Sequence, residues 1–144
     1  GSCVQVTGKD VHTEPDAFST SIQRCWYNTV KYLDAINKLT RDRGVRLLIV
    51  LIPDVMQFDT PEVRDIKAKL GPKFHWDQPQ KALRKQGKRR GWPLLDALEP
   101  MRAQWHGSML FYCQNSHFNE RGNRLLATVL RDWLEKNQPE LFKP

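Results

Sequence analysis

Tyr112-Cys113-Gln114-Asn115-Ser116-His117-Phe118-Asn119 sets a histidine in a polar loop directly ahead of Asn119-Glu120-Arg121-Gly122, the start of a helical pattern. A histidine so placed can take the proton of a serine that attacks an ester carbonyl, provided its second ring nitrogen has an acceptor. Asn115 stands two residues before His117, where that acceptor would be. An amide oxygen accepts a hydrogen bond but carries no charge to stabilise an imidazolium; in serine proteases the change from Asp to Asn costs about ten-thousandfold in rate. A Ser-His dyad remains open to such a residue. Asn119 is either the cap of the following helix or a ligand-binding amide. Asp54 and Asp96 each close an apolar run, where substrates bind in parallel sheets, although turns favour Asp for backbone reasons as well. Cys113, four residues before His117, would be a nucleophile or an apolar filler at the end of a buried strand. A metal site would need Cys113, His117 and His75 to converge from afar, so the expectation is no metal and no cofactor.

These residues need elements to hold them. Ile22, Trp26, Val30, Leu33, Ile36 and Leu39 recur every three or four positions, the period of an amphipathic helix. Asp16 or Ser19 would cap it, and Gly44 would end it after the basic turn 41–43. Val45-Arg46-Leu47-Leu48-Ile49-Val50-Leu51-Ile52-Pro53 follows, and its apolar run predicts a strand over 47–52, buried on both faces at the centre of a parallel sheet. Thr60-Pro61-Glu62 opens a second helix that Gly71-Pro72 closes. Residues 74–79 read as an irregular connection and 80–90 as a short helix. Gly91-Trp92-Pro93-Leu94-Leu95-Asp96 predicts a short strand, 98–105 a helical turn, and Ser108-Met109-Leu110-Phe111-Tyr112-Cys113 the last strand. The last helix, 119–137, turns Leu126, Val129, Leu130, Trp133 and Leu134 inward. Helix alternating with strand, without a repeat, predicts one α/β layered domain. Its candidate loops are 54–59, 96–99 and 114–119, of which the third carries His117.

The order and spacing of these blocks over residues 20–136 resemble the SGNH (GDSL-type) hydrolases, most closely the branch of bacterial polysaccharide O-acetyltransferases. That branch has an Asp-x-His-Trp-Asn or Asp-x-x-His segment supplying the base and its orienting acid, then a helix with Gly-x-x-hydrophobic. His117 matches the base, Asn115 and Gln114 the two alternative places of the acid. The strand ending Ile52-Pro53 with Asp54-Val55-Met56-Gln57, and Trp92-Pro93-Leu94-Leu95-Asp96, match the strands before it. The resemblance implies a three-layer, mainly parallel sheet flanked by helices, flavodoxin-like in outline. It also implies a serine esterase or carbohydrate O-acyltransferase, with an extracytoplasmic setting. The family's Gly-Asp-Ser nucleophile block, its oxyanion-hole Gly and its Gly-x-Asn-Asp block have no counterpart here; Val4-Gln5-Val6-Thr7-Gly8-Lys9-Asp10 lies near the last of these but lacks the Asn. The chain then corresponds to the C-terminal part of the fold, inactive alone, with the nucleophile outside it. Missing N-terminal strands would leave a sheet edge for residues 3–15 or a second copy of the chain to cover. The boundaries are 1–15 for an N-terminal arm, including a cloning scar at Gly1-Ser2, 16–138 for the domain and 139–144 for a tail.

Composition limits the alternatives. The 144 residues carry 23 Lys+Arg against 16 Asp+Glu, a net +7, with 40% hydrophobic residues, which suits a single globular core. No window approaches the roughly 18 consecutive apolar residues of a bilayer span. Six cations, Lys81, Arg84, Lys85, Lys88, Arg89 and Arg90, stand together without an acid, leaving the rest of the chain near +1. Such a run is a solvated face or a surface for an acidic polysaccharide. In the second case Lys85, Lys88 and Arg89 pair with carboxylates while Trp76 and Trp92 stack on sugar rings. No nucleic-acid-binding motif accompanies it, which speaks against nucleic acid. Cys3, Cys25 and Cys113 form no C-x-x-C, so no disulfide framework or zinc knuckle is written, while a single disulfide stays open. Two other readings compete with the hydrolase: a catalytically inactive SGNH-like glycan-binding module, and a basic polyanion-binding domain.

Overall fold

The 23-residue helix α1 (Thr20–Asp42) opens the structure, a computed structural model that describes residues 20–70, 76–113 and 115–142, with side chains from residue 24. Trp26, Val30, Leu33 and Asn37 share one half-buried stripe. Gly44 stops the helix at φ +65°, a left-handed conformation that a side chain would strain. Lys38 donates to Asp42 at 2.5 Å in the last turn and holds that carboxyl below its ordinary range.

Beyond α1 the chain runs extended into β1 (Ile49–Leu51) and then into a single 3-10 turn over Val55–Gln57. Helices α2 (Pro61–Leu70) and α3 (Gln78–Arg90) cross over to β2 (Leu94–Asp96), which pairs parallel with β1: Ile49 faces Leu94, Val50 faces Leu95 and Leu51 faces Asp96. Gly91 ends α3 at φ +68° and lets Trp92 turn back onto it. Asp96 leads straight into α4 (Leu98–Gln104), and α5 (Glu120–Asn137) is followed by a 3-10 turn over Pro139–Phe142.

The fold is mixed α/β, mostly helical, with a small parallel sheet. The expected strands in 47–52 and 94–96 are present as three-residue strands and pair parallel, and among the described residues β1 has β2 as its neighbour. Leu51 is buried on one face of the 47–52 run and Leu48 and Val50 pack on the core from the other, while Ile52 at its end is exposed. The expected strand over 108–113 is an extended segment whose one bridge runs antiparallel, from Phe111 to Phe118 within its own loop. The arm 3–15, the start of the first helix at Asp16 and the Gly71-Pro72 stop fall outside the described residues.

The core gathers below the carboxyl end of the strand pair. Phe58, Leu98, Met101 and Val63 are its largest fully enclosed side chains. Val55, Met56 and Phe58 come from the turn after β1, Ala97 and Met101 from the start of α4, Leu110 and Phe111 from the extended segment, and Val129 from α5. Burial of these groups at about 25 cal/mol per Å² is the main stabilisation of this end of the molecule.

Candidate functional site

The His117 loop is built on rings. Phe111 stacks tilted on Phe118, 4.6 Å between centroids, and meets Phe58 edge-on at 5.6 Å. Because Phe58 follows the carboxyl end of β1, these contacts set the loop at that end of the parallel pair, where ligands bind in open α/β sheets. Tyr112 N–H donates to the His117 carbonyl at 3.0 Å and closes the turn. Asn115 Oδ1 accepts from the His117 backbone N–H at 3.1 Å, so the amide shapes the turn and does not orient the ring. His117 is exposed, and its imidazole has no hydrogen-bond partner among the described residues. Its loop borders a hollow of about 560 Å³ lined by Met109, Phe111, Tyr112, Cys113, Asn115 and Asn119, while His117 itself is not among the lining residues.

The Asn-x-x-Gly at the head of α5 is explained by geometry. Asn119 caps the helix through Oδ1, which accepts from Gly122 N–H at 3.0 Å, while its Nδ2 donates to the Met109 carbonyl at 2.8 Å. Both ends of the amide are engaged, so substrate binding by Asn119 would have to displace one of them. Gly122 sits where an added Cβ would lie 2.3 Å from the Leu110 carbonyl oxygen and 2.6 Å from the Phe118 ring. The glycine lets α5 touch the extended segment.

The strand-end carboxylates serve their own helices. Asp54 Oδ1 accepts from Met56 N–H at 2.8 Å while its backbone N–H donates to Gln57 Oε1, a reciprocal cap on the 3-10 turn. Asp96 Oδ1 accepts from Leu98 N–H at 3.0 Å, and its buried Oδ2 lies 3.0 Å from Arg84 in an ion pair without hydrogen-bond geometry. The structure joins neither carboxylate to His117. Cys113 is exposed rather than filling a strand end, because the loop turns out at Tyr112; Cys25 is also an exposed free thiol. Among the described residues no cluster of three His, Cys, Asp or Glu could hold a metal ion.

On α3 the cations divide. Arg84 turns to Asp96 and Arg90 to Asp34 of α1, whereas Lys81, Lys85, Lys88 and Arg89 are exposed without a carboxylate partner among the described residues. Trp92 is no stacking platform for a sugar: it is 6% exposed, its indole N–H donates to Asp34 at 2.9 Å, and Arg90 lies 5.9 Å from its ring centroid. Trp76 packs half-buried on the core.

One polar cluster was invisible in the sequence. Gln57 and Gln80 exchange amide hydrogen bonds at 2.7 and 2.8 Å in the interior, and Gln57 Nε2 also donates to the Trp76 carbonyl at 3.0 Å. Arg102 donates to the Gln57 carbonyl and to both oxygens of Asp77. Burial alone would depress that guanidinium, but Asp77 and then Glu99 carry it above its ordinary value. Burial also holds the nearby Lys67 ammonium below its usual range, against the pull of Asp59. Partners 19 to 45 positions apart leave no local pattern to read.

A second hollow, about 410 Å³, opens on the other side of the extended segment, between Trp105 and the first turns of α5. Compared with known proteins, the chain matches no family, no curated protein and no solved structure. No helix among the described residues is long and apolar enough to cross a membrane.

Proposed function

We propose that this α/β unit is the histidine-bearing part of an SGNH-type acyl-transfer domain acting on acyl esters of carbohydrate. His117 takes the proton of a serine supplied outside this chain as that oxygen attacks the ester carbonyl, then returns it to the departing alcohol. The observation that supports this reading is the exposed imidazole, without a hydrogen-bond partner among the described residues, on a loop whose Asn115 and Asn119 line an open hollow. With Asn115 engaged by the backbone, the pair works as a dyad without an orienting carboxylate, which predicts slow turnover.

The chain by itself is expected not to hydrolyse an activated acetyl ester above the solution rate. In the natural polypeptide carrying a Gly-Asp-Ser segment, a fluorophosphonate should label that serine, and His117→Ala should abolish the labelling. Labelling that ignores His117→Ala, or robust turnover by a serine of this chain, would overturn the assignment.

A second reading is favoured by Lys81, Lys85, Lys88 and Arg89 of α3, which have no carboxylate partner among the described residues and span one arc of the helix: binding of an acidic polysaccharide. Here the charge acts without the stacking that Trp92 was expected to give. Titration with polyglucuronate should show affinity that falls steeply with salt and is lost in the triple change Lys85→Gln, Lys88→Gln, Arg89→Gln. Equal, salt-insensitive affinity for a neutral glucan would remove this reading.

A further inference from the structure

The hollow behind the extended segment has a chemistry of its own. Its floor and wall are apolar: Trp105, Leu110 and Leu125. Trp105 is held rigidly, its indole N–H donating to the Ser108 carbonyl at 2.7 Å and its ring meeting Phe58 edge-on at 5.5 Å. With that N–H satisfied, the ring offers the hollow apolar surface without an orphaned donor. Gly107, at φ +78°, makes the turn that carries the chain from Trp105 to Ser108.

The opposite side is one face of α5. Arg121, Arg124, Leu125 and Thr128 stand at i, i+3, i+4 and i+7 and all line the hollow, while Val129 on another face enters the core. Arg124 pairs with Glu120 at 2.7 Å, but Arg121 has no carboxylate partner among the described residues. Glu120, Gln104 and His106 also line the hollow. Two guanidinium groups against one carboxylate leave the rim with a net positive charge over an apolar interior, and the space falls in the usual range of small-molecule sites, about 300–1,000 Å³.

We infer that this hollow binds a small amphipathic organic acid, its apolar body against Trp105, Leu110 and Leu125 and its carboxylate between Arg121 and Arg124. The planar guanidinium matches a carboxylate with two parallel N–H donors, so Arg121 supplies the fixed contact and Arg124 exchanges Glu120 for the ligand. The site is independent of the role given to His117, because the 108–111 stretch separates the two hollows. Its side chains alternate as an extended chain requires, Ser108 and Leu110 toward this hollow and Met109 and Phe111 toward the other.

The test titrates the isotope-labelled chain with 4-phenylbutyrate and with the neutral 4-phenylbutyramide, following backbone amides and indole N–H signals by NMR. The acid is expected to shift the Trp105 indole and the amides of 121–125, and to bind about tenfold more tightly than the amide, the effect of one charge-assisted contact. Arg121→Gln should erase the preference for the acid while leaving the weaker binding of the amide in place. Leu125→Gln should weaken both ligands alike. Equal affinity for the two ligands, an acid preference that survives Arg121→Gln, shifts gathered at 115–119 instead, or no shifts at millimolar ligand would each overturn the inference.

Discussion

The described residues between Ser108 and Gly122 have little regular secondary structure, yet their backbone and the Asn119 amide are closely engaged, whereas among the described residues the 23-residue α1 meets the rest through a few side chains. In the first region Asn119 ties two backbone carbonyls to the head of α5, Gly122 allows direct contact, and Phe111 links Phe118 to Phe58. In the second, Asp34 supplies polar links to Arg90 and Trp92, while Tyr27, Tyr32, Ile36 and Leu39 remain exposed. Local stability follows satisfied polar groups and close packing more than it follows helix or strand. A loop can be the firmer part of a fold.

The sharpest way to break this comparison is Gly122→Ala. A methyl group 2.3 Å from a backbone oxygen cannot be absorbed by a rotamer change, so urea denaturation should show a loss of about 3 kcal/mol. A loss below about 0.5 kcal/mol would mean that α5 slides freely on the segment and that the loop is not held as described.

Next in size is Arg102→Gln, which removes the donors that reach the Gln57 carbonyl and Asp77. The expected cost is about 2 kcal/mol, typical of hydrogen bonds to charged groups. It should appear as a lower denaturation midpoint with an unchanged slope. An unchanged midpoint would place this cluster with the solvent-screened surface pairs.

Asp34→Ala probes the other side of the comparison. The pair is partly exposed, and the expected global loss stays under about 1 kcal/mol. Hydrogen exchange should quicken across α1 and remain slow in α5. If both helices quicken together, α1 is an integral part of the core and the contrast fails.

The smallest effect belongs to Lys67→Met. Because burial lowers the folded-state pKa of Lys67, the folded chain binds its proton less well than the unfolded chain does, and the charged form costs stability. That cost is present at neutral pH and fades as pH rises and the folded group, then the unfolded one, loses its proton. The variant should therefore melt slightly higher at pH 7, with the gain disappearing in the alkaline range. A gain that persists there would trace to added apolar packing instead.

Helices were the more legible part of this sequence. Thr60-Pro61 and Gly91 punctuate α2 and α3, and Asn119 caps α5 as its position ahead of Glu120 predicts. The sheet was legible in part: the apolar runs around Ile49–Leu51 and Leu94–Asp96 do form parallel strands, but composition gave neither their shortness nor the number of neighbours, and among the described residues β1 has one partner. At the site, the sequence placed His117 in a turn but not the use of Asn115, whose oxygen goes to a backbone N–H. Trp92 looked like a surface ring because it borders a run of cations, and only the fold reveals Asp34 beneath it. The Arg121, Arg124, Leu125, Thr128 face was readable as a helical spacing, but what it faces depended on the turn at Gly107.

The alternation of Ser108, Met109, Leu110 and Phe111 has an evolutionary consequence. One extended stretch divides two hollows, and each neighbouring residue belongs to the opposite one. A single inserted or deleted residue would reverse the sidedness of everything beyond it and re-line both hollows at once. Length changes in this stretch are thus inherited by both cavities together, and only substitutions at fixed length let a lineage remodel one while keeping the other.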